Sequence, residues 1–198
     1  MKQEVHLKEL VAEVGLAIRR PEELVLRWRE ADGSSGTLLI GILLLNAIFG
    51  LAAYGLTMQI HNGALAMGRA AVLTPLAAGG AWMMALPALY IFKSAWGSQL
   101  NLYATILAAS VTVCFGAWAM LASVPINWFF SLSLPFPTIR LLTNLAIFTG
   151  VGVCMSDVFL RVFHVLEPDR SSFSGFWWLG LHAVIGIELF SLFGIFAF

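Results

Sequence analysis

The sequence predicts an all-α polytopic membrane protein, a bundle of five transmembrane helices preceded by an amphipathic N-terminal cytoplasmic arm. Of the 198 residues, 60% are hydrophobic and only 11% are Asp, Glu, Lys or Arg, whereas a soluble domain carries about 25% charged residues. Long stretches, such as residues 37–68, contain no charged residue at all. Thirteen of the 22 charged residues lie in the first 36 positions. A polar segment therefore precedes an apolar body.

The arm, residues 1–36, is predicted to form two helices with an apolar side. Apolar residues recur there at three- and four-residue steps, which is typical of a helix with one apolar stripe. Pro21 suits the first position of the second helix, because proline loses no hydrogen bond there. The stripe is predicted to lie on the membrane surface. It consists of Leu10, Val14, Ile18, Leu24 and Trp28.

The body, residues 37–198, contains apolar runs long enough to cross a bilayer, which takes about 20 helical residues. Backbone polar groups must be satisfied internally in lipid, so these runs are predicted to be helices. Proline and glycine in the second run predict a kink or an interfacial start from Gly63. The aromatic and proline residues from Pro125 to Pro137 predict a segment in the headgroup region. The predicted spans are residues 37–58, 71–92, 102–126, 139–159 and 176–198.

The distribution of Lys and Arg predicts the orientation. Nine of the 11 basic residues lie on the side of the arm, in the arm itself and in the second and fourth connections. The side that is richer in Lys and Arg faces the cytoplasm. The N-terminus is therefore predicted to be cytoplasmic and, with an odd number of spans, the C-terminus to lie on the opposite side. The predicted location is the bacterial cytoplasmic membrane.

Ionisable residues at membrane depth are costly, so each one is a candidate functional group. Asp157 and Arg161 are four residues apart and can pair on one helix face; they either neutralise each other or form a docking point for a partner. Glu188 has no partner in its own span, so its carboxyl is predicted to be protonated or hydrogen-bonded to another helix. Three roles remain open for Glu188: a hydrogen bond between helices, a proton or ion site, and a subunit interface. His182 lies about 120° around the helix from Glu188, so the two residues do not form one site.

The sequence contains no pattern typical of an enzyme or a metal site. The motifs of metalloproteases, serine hydrolases and nucleotide-binding proteins are absent, so no catalytic residue, metal ligand or cofactor is predicted. A haem remains an alternative, because His182 could be an axial ligand. The candidate second ligands, His61 and His164, are predicted at different depths from one another. Only His61 could share a leaflet with His182, in an orientation that the distribution of Lys and Arg disfavours. The 11 basic and 11 acidic residues cancel, so no basic field is available to bind nucleic acid.

Two stretches resemble the Yip-domain membrane proteins. They are the proline-led start of the second arm helix, Arg20-Pro21-Glu22-Glu23, and the segment LPALYIFKSAWGSQL, residues 86–100. The predicted architecture, an amphipathic cytoplasmic arm followed by five closely spaced spans, also resembles this family, whose eukaryotic members interact with Rab GTPases. No residue matches the partner-binding positions of the family, so no functional residue is carried over from it.

These features predict a non-enzymatic scaffold or accessory subunit that shapes the membrane or binds membrane proteins through the arm and the last span. Its predicted partners are the lipid bilayer and other membrane protein subunits or a second copy of itself. The alternative is a small transporter or channel subunit in which Glu188 and His182 line a polar path. A haem-binding redox subunit is the third hypothesis.

Overall fold

The computed structural model describes residues 7–30, 34–134, 136–168 and 173–195, and helices account for most of them. Two short helices form the arm, and five longer helices follow. In chain order the helices are α1 (Leu7–Arg19), α2 (Pro21–Trp28), α3 (Ser34–Met58), α4 (Gly63–Ala95), α5 (Leu102–Ser133), α6 (Pro137–Leu166) and α7 (Phe173–Leu192). A 3-10 turn, Ile60–Asn62, joins α3 to α4.

Four helices, α3 to α6, are long and apolar enough to cross a membrane. The apolar part of α7 among the described residues is Trp177–Leu192, which is shorter than the roughly 20 residues of a full crossing. The predicted all-helical architecture is therefore confirmed for the described residues, with four helices that have the length and composition of membrane spans. The fifth crossing stays a prediction.

Local sequence explains where several helices begin. Pro21 occupies the first turn of α2, followed by Glu22 and Glu23, as the sequence predicts for the positive end of a helix dipole. The side chain of Asn101 caps α5, because its Oδ1 accepts a hydrogen bond from the backbone N–H of Ala104 at 2.7 Å. An Asn in this position satisfies one of the N–H groups that a helix start leaves free.

Three helices, α4 to α6, extend well beyond their predicted spans, and α6 ends at Leu166 rather than at about residue 159. α4 is one helix from Gly63 to Ala95 and contains Pro75 and Pro87 in its interior. α5 continues past Pro125 as far as Ser133, so most of the predicted headgroup segment belongs to this helix. A proline removes one backbone donor, and neighbouring helices in a membrane bundle allow the helix to continue around it.

The core of the bundle lies around α5. Five consecutive residues, Leu107–Val111, are fully buried, so every side of this helix is covered at that level. α3 and α6 pack against α5, α4 packs against α3, and α7 lies mainly on α4. Both arm helices contact α5. In addition, α1 contacts α3, and α2 contacts α6.

Two glycines of α3 allow this helix to approach its neighbours closely. A methyl group at Gly50 would lie 2.5 Å from the carbonyl oxygen of Ala117 in α5, and one at Gly55 would lie 2.6 Å from that of Ala70 in α4. Small residues at such contacts are a common basis of helix packing in membranes. Gly41, on the same helix, has no such neighbour within 4 Å.

Replacing Gly50 with alanine is expected to destabilise the protein by about 1–3 kcal/mol, because the methyl group forces α3 away from α5. Gly41→Ala is the matched control on the same helix and should be neutral or stabilising by up to about 1 kcal/mol. Thermal unfolding of the detergent-solubilised variants measures both effects. Equal stability of the two variants would contradict the close contact between α3 and α5.

Candidate functional site

The apolar stripe of the arm faces the helices of the bundle. Leu24 is fully buried and Val14 is 6% exposed, both in the same apolar cluster as residues of α3, α5 and α6. Ile18 and Trp28 are partly buried against that cluster, and the side chain of Leu10 lies outside the described residues. The sequence predicts a membrane surface for this stripe, but the four described side chains instead pack against protein. The apolar stripe of an amphipathic helix can pack on a membrane or on other helices, since both surfaces are apolar.

Asp157 and Arg161 pair within one turn of α6, as their spacing predicts. Arg161 Nε donates to Asp157 Oδ2 at 2.9 Å, and the same guanidinium forms a second ion pair with Glu22 of α2. This arrangement ties the arm to α6. The Arg161 and Asp157 side chains are 48% and 66% exposed, so such pairs contribute only about 0–1 kcal/mol each. Burial of the apolar stripe is therefore the main attachment of the arm.

A buried ion pair, which the spacing of residues in the sequence does not predict, joins the ends of α4 and α6. Lys93 Nζ lies 3.1 Å from Glu167 Oε2, with side chains only 7% and 10% exposed. The ammonium also lies 4.2 Å from the ring centre of Phe163, a cation–π contact. Burial alone would raise the pKa of Glu167, but hydrogen bonds from Ser98 and Lys93 and the Lys93 charge outweigh it, so this pKa is lowered. The Glu167 carboxyl group is therefore held in its ionised form.

Buried hydrogen bonds connect the helices towards the other end of the bundle. The Tyr54 hydroxyl donates to Asn144 Oδ1 at 2.8 Å, which links α3 to α6. Asn127 Nδ2 donates to Thr57 Oγ1 at 2.9 Å, which links α5 to α3. Hydrogen bonds of this kind between neutral polar side chains are common between membrane helices. These groups bond to one another and hold the bundle together.

His182 and Glu188 lie on different sides of α7. The ring of His182 stacks on Trp178 at 5.5 Å between centres, and Trp178 Nε1 donates to the backbone oxygen of Ala85 in α4 at 2.6 Å. Glu188 is exposed, as are its neighbours on that side. The structure thus separates the two residues, as their six-residue spacing predicts.

The described residues bring no second histidine to His182. His61, beyond the end of α3, contacts the backbone oxygen of Ser131, and His164 is exposed on α6. Among the described positions, no group of three or more His, Cys, Asp or Glu residues could hold a metal ion. The haem hypothesis therefore has no observation in its favour and stays a prediction.

A pocket of about 180 Å³ lies between the start of α4 and the end of α7. Gln59 and Arg69 contribute its polar groups, and Phe193 is among the apolar ones. Neither Glu188 nor His182 lines this pocket. The transporter hypothesis, which places those two residues along one polar path, therefore stays a prediction without structural support.

The exposed side of α7 carries one carboxyl group on an otherwise uncharged surface. We call this surface the α7 outer face. With the described residues, Glu188 forms no hydrogen bond or ion pair in the structure. The adjacent exposed side chains are apolar or small, with Ile187 at 67% and Val184 at 59% exposure. The α7 outer face consists of Gly180, Val184, Ile187, Glu188 and Ser191.

Contacts between α7 and α4 fix the level of Glu188 along the length of the bundle. On either side of it, Leu189 reaches Gly80 of α4, and Gly186 faces Ala81. Gly80 is eleven residues after Arg69 and thirteen before Lys93, the charged residues that bound the uncharged stretch of α4. At 1.5 Å per residue, these are distances of about 16 and 20 Å. Each distance is close to half the thickness of a bilayer's hydrocarbon layer, about 15 Å, so Glu188 lies level with the middle of the uncharged stretch of α4.

Comparison with known proteins gives no relative from which a role can be transferred. The resemblance to the Yip-domain proteins accordingly stays a prediction, carried by the arm and by residues 86–100. The placements of Glu188, Arg161 and Lys93 are therefore the basis for a functional assignment. No protein-family model, curated protein or solved structure matches this chain.

Proposed function

We propose that this chain is a non-enzymatic integral membrane scaffold or accessory subunit that binds membrane proteins through the α7 outer face. The observation that carries the proposal is the exposed carboxyl group of Glu188 at the level of the bundle centre. An ionisable group facing lipid at that depth costs several kcal/mol unless another polar group meets it. A helix of a binding partner supplies such a group. Glu188 is thus assigned to binding rather than to chemistry.

The remaining ionisable candidates have structural partners inside the chain. Arg161 pairs with Asp157 and Glu22, and Lys93 pairs with Glu167. These pairs join the arm to α6 and α4 to α6. A structural role therefore accounts for these charged residues, and no substrate or bound ion is needed to explain them. Glu188 differs from them because its carboxyl group points away from the bundle.

The proposal includes the orientation predicted from the sequence. The arm and the Lys93–Glu167 pair lie on the cytoplasmic side, and α7 completes a fifth crossing that ends on the opposite side. The excess of Lys and Arg on the arm side supports this orientation. The packing of α7 along α4 supports a fifth crossing, because α4 itself is long and apolar enough to span.

Photo-crosslinking in intact membranes tests the binding role. Replacing Ile187 with a photoreactive amino acid places the probe beside Glu188, and it should yield protein adducts of defined mass. The control is the same probe at Leu45 of α3, which is 66% exposed and lies outside the α7 outer face. Protein adducts from position 187 alone are expected. Lipid adducts alone at both positions would overturn the proposal.

A further inference from the structure

The inference that follows rests on the proposed function and names the partner. We infer that the α7 outer face binds the same face of a second copy of this chain, with the two Glu188 carboxyl groups in contact. The resulting dimer is twofold symmetric, and its axis is perpendicular to the membrane plane. Closed twofold pairing of one surface with itself is the commonest form of protein oligomer.

Depth favours a second copy as the occupant. Two copies inserted in the same orientation place each residue at the same level of the bilayer. The group that meets Glu188 across a twofold axis is then the Glu188 of the other copy, and neither copy needs to shift along the membrane normal. The other exposed charged side chains described on the transmembrane helices, such as Arg69 and Arg161, lie towards the two ends of the helices. A second copy therefore offers its own Glu188, rather than a cation, at this depth.

The chemistry of the carboxyl group also favours pairing with itself. A protonated carboxyl group both donates and accepts a hydrogen bond. Two such groups that face each other satisfy one another and leave no uncompensated polar atom in the hydrocarbon layer. The small side chains at Gly180 and Ser191 on the same face allow the two helices to come close, as small residues do in membrane helix pairs.

Cysteine cross-linking of the full chain in lipid vesicles locates the interface. In a Cys154→Ser background, which removes the exposed native thiol of α6 and leaves the buried Cys114, Val184→Cys should form a disulfide-linked dimer on oxidation. The control Leu45→Cys has similar exposure and should remain monomeric. The linked fraction at position 184 should change little when the vesicles are diluted in buffer. Absence of cross-linking at position 184, or equal cross-linking at both positions, would overturn the inference.

Substitution of Glu188 tests the carboxyl contact itself. Glu188→Leu should weaken dimerisation in the bilayer about 3-fold to 30-fold, the range expected for loss of one interhelical polar contact. Glu188→Gln should keep most of it, because an amide also donates and accepts. Ile187→Leu is the control on the same face and should leave dimerisation unchanged. Unchanged dimerisation of Glu188→Leu would overturn the inference.

The outcomes separate this inference from the proposed function. Photo-adducts at position 187 with the mass of two copies of the chain support both the inference and the proposed function. Adducts with a different membrane protein, together with a monomeric purified chain, retain the binding role of the α7 outer face and overturn the second copy as its partner.

Discussion

Replacing Lys93 with alanine is expected to lower the free energy of unfolding by about 3–5 kcal/mol. The variant leaves the Glu167 carboxylate, whose side chain is only 10% exposed, without its cation. Removing one member of a buried ion pair is far more destabilising than the pair is stabilising, because an uncompensated buried charge remains. The cation–π contact with Phe163 is lost as well. Equilibrium unfolding of the detergent-solubilised protein measures the change.

Two variants control for the effect at Lys93. Lys93→Met combined with Glu167→Gln removes both charges and should recover most of the lost stability, since a neutral pair of similar volume carries no unpaired charge. Arg161→Ala removes the more exposed pairs and should cost about 1 kcal/mol or less. If Lys93→Ala and Arg161→Ala lower the stability equally, the Lys93–Glu167 pair is not buried as described.

Replacing Leu24 with alanine is expected to destabilise the protein by about 2–5 kcal/mol. Leu24 is fully buried between the arm and the bundle, and the truncation leaves a cavity as well as removing apolar contacts. The arm should also become more accessible to protease, because its main attachment is weakened. Leu26→Ala is the matched control: Leu26 lies in the same helix, is 41% exposed, and its loss should change stability by about 0.5 kcal/mol or less.

The comparison of Leu24 with Leu26 also decides which neighbour the arm has. If the two variants are equally stable and equally resistant to protease, the stripe is not packed on the bundle. The membrane-surface role predicted from the sequence would then be favoured. A large difference between them shows that the arm is part of the folded bundle.

The helices could be predicted from the sequence because their signals are local. Long uncharged runs mark α3 to α6, and Pro21 marks the start of α2, so both are visible without knowledge of distant residues. The end of α5 was harder to predict. Pro125 is a strong stop signal in a soluble helix, but the helix continues to Ser133, since packing against neighbouring helices compensates for one missing donor.

The candidate site could be predicted only in part, because its partners are distant in sequence. The pairing of Asp157 with Arg161 follows from a four-residue spacing, whereas Lys93 and Glu167 are separated by 74 positions. Lys93 therefore appears in the sequence only as one more cytoplasmic charge. The direction of Glu188 could not be predicted either, because an apolar helix does not show which of its sides meets α4 and which is exposed.

Docking of the arm has a consequence for the order of events during synthesis. Glu22 pairs with Arg161, 139 positions later in the chain, so this contact waits until α6 has left the ribosome. At about 5–20 residues per second, roughly 7–30 seconds pass before α6 can complete the cover of the apolar stripe. During that interval the stripe is open to chaperones, proteases and the nearby bilayer. Docking of the arm onto the bundle can therefore be completed only after α6 has been synthesised.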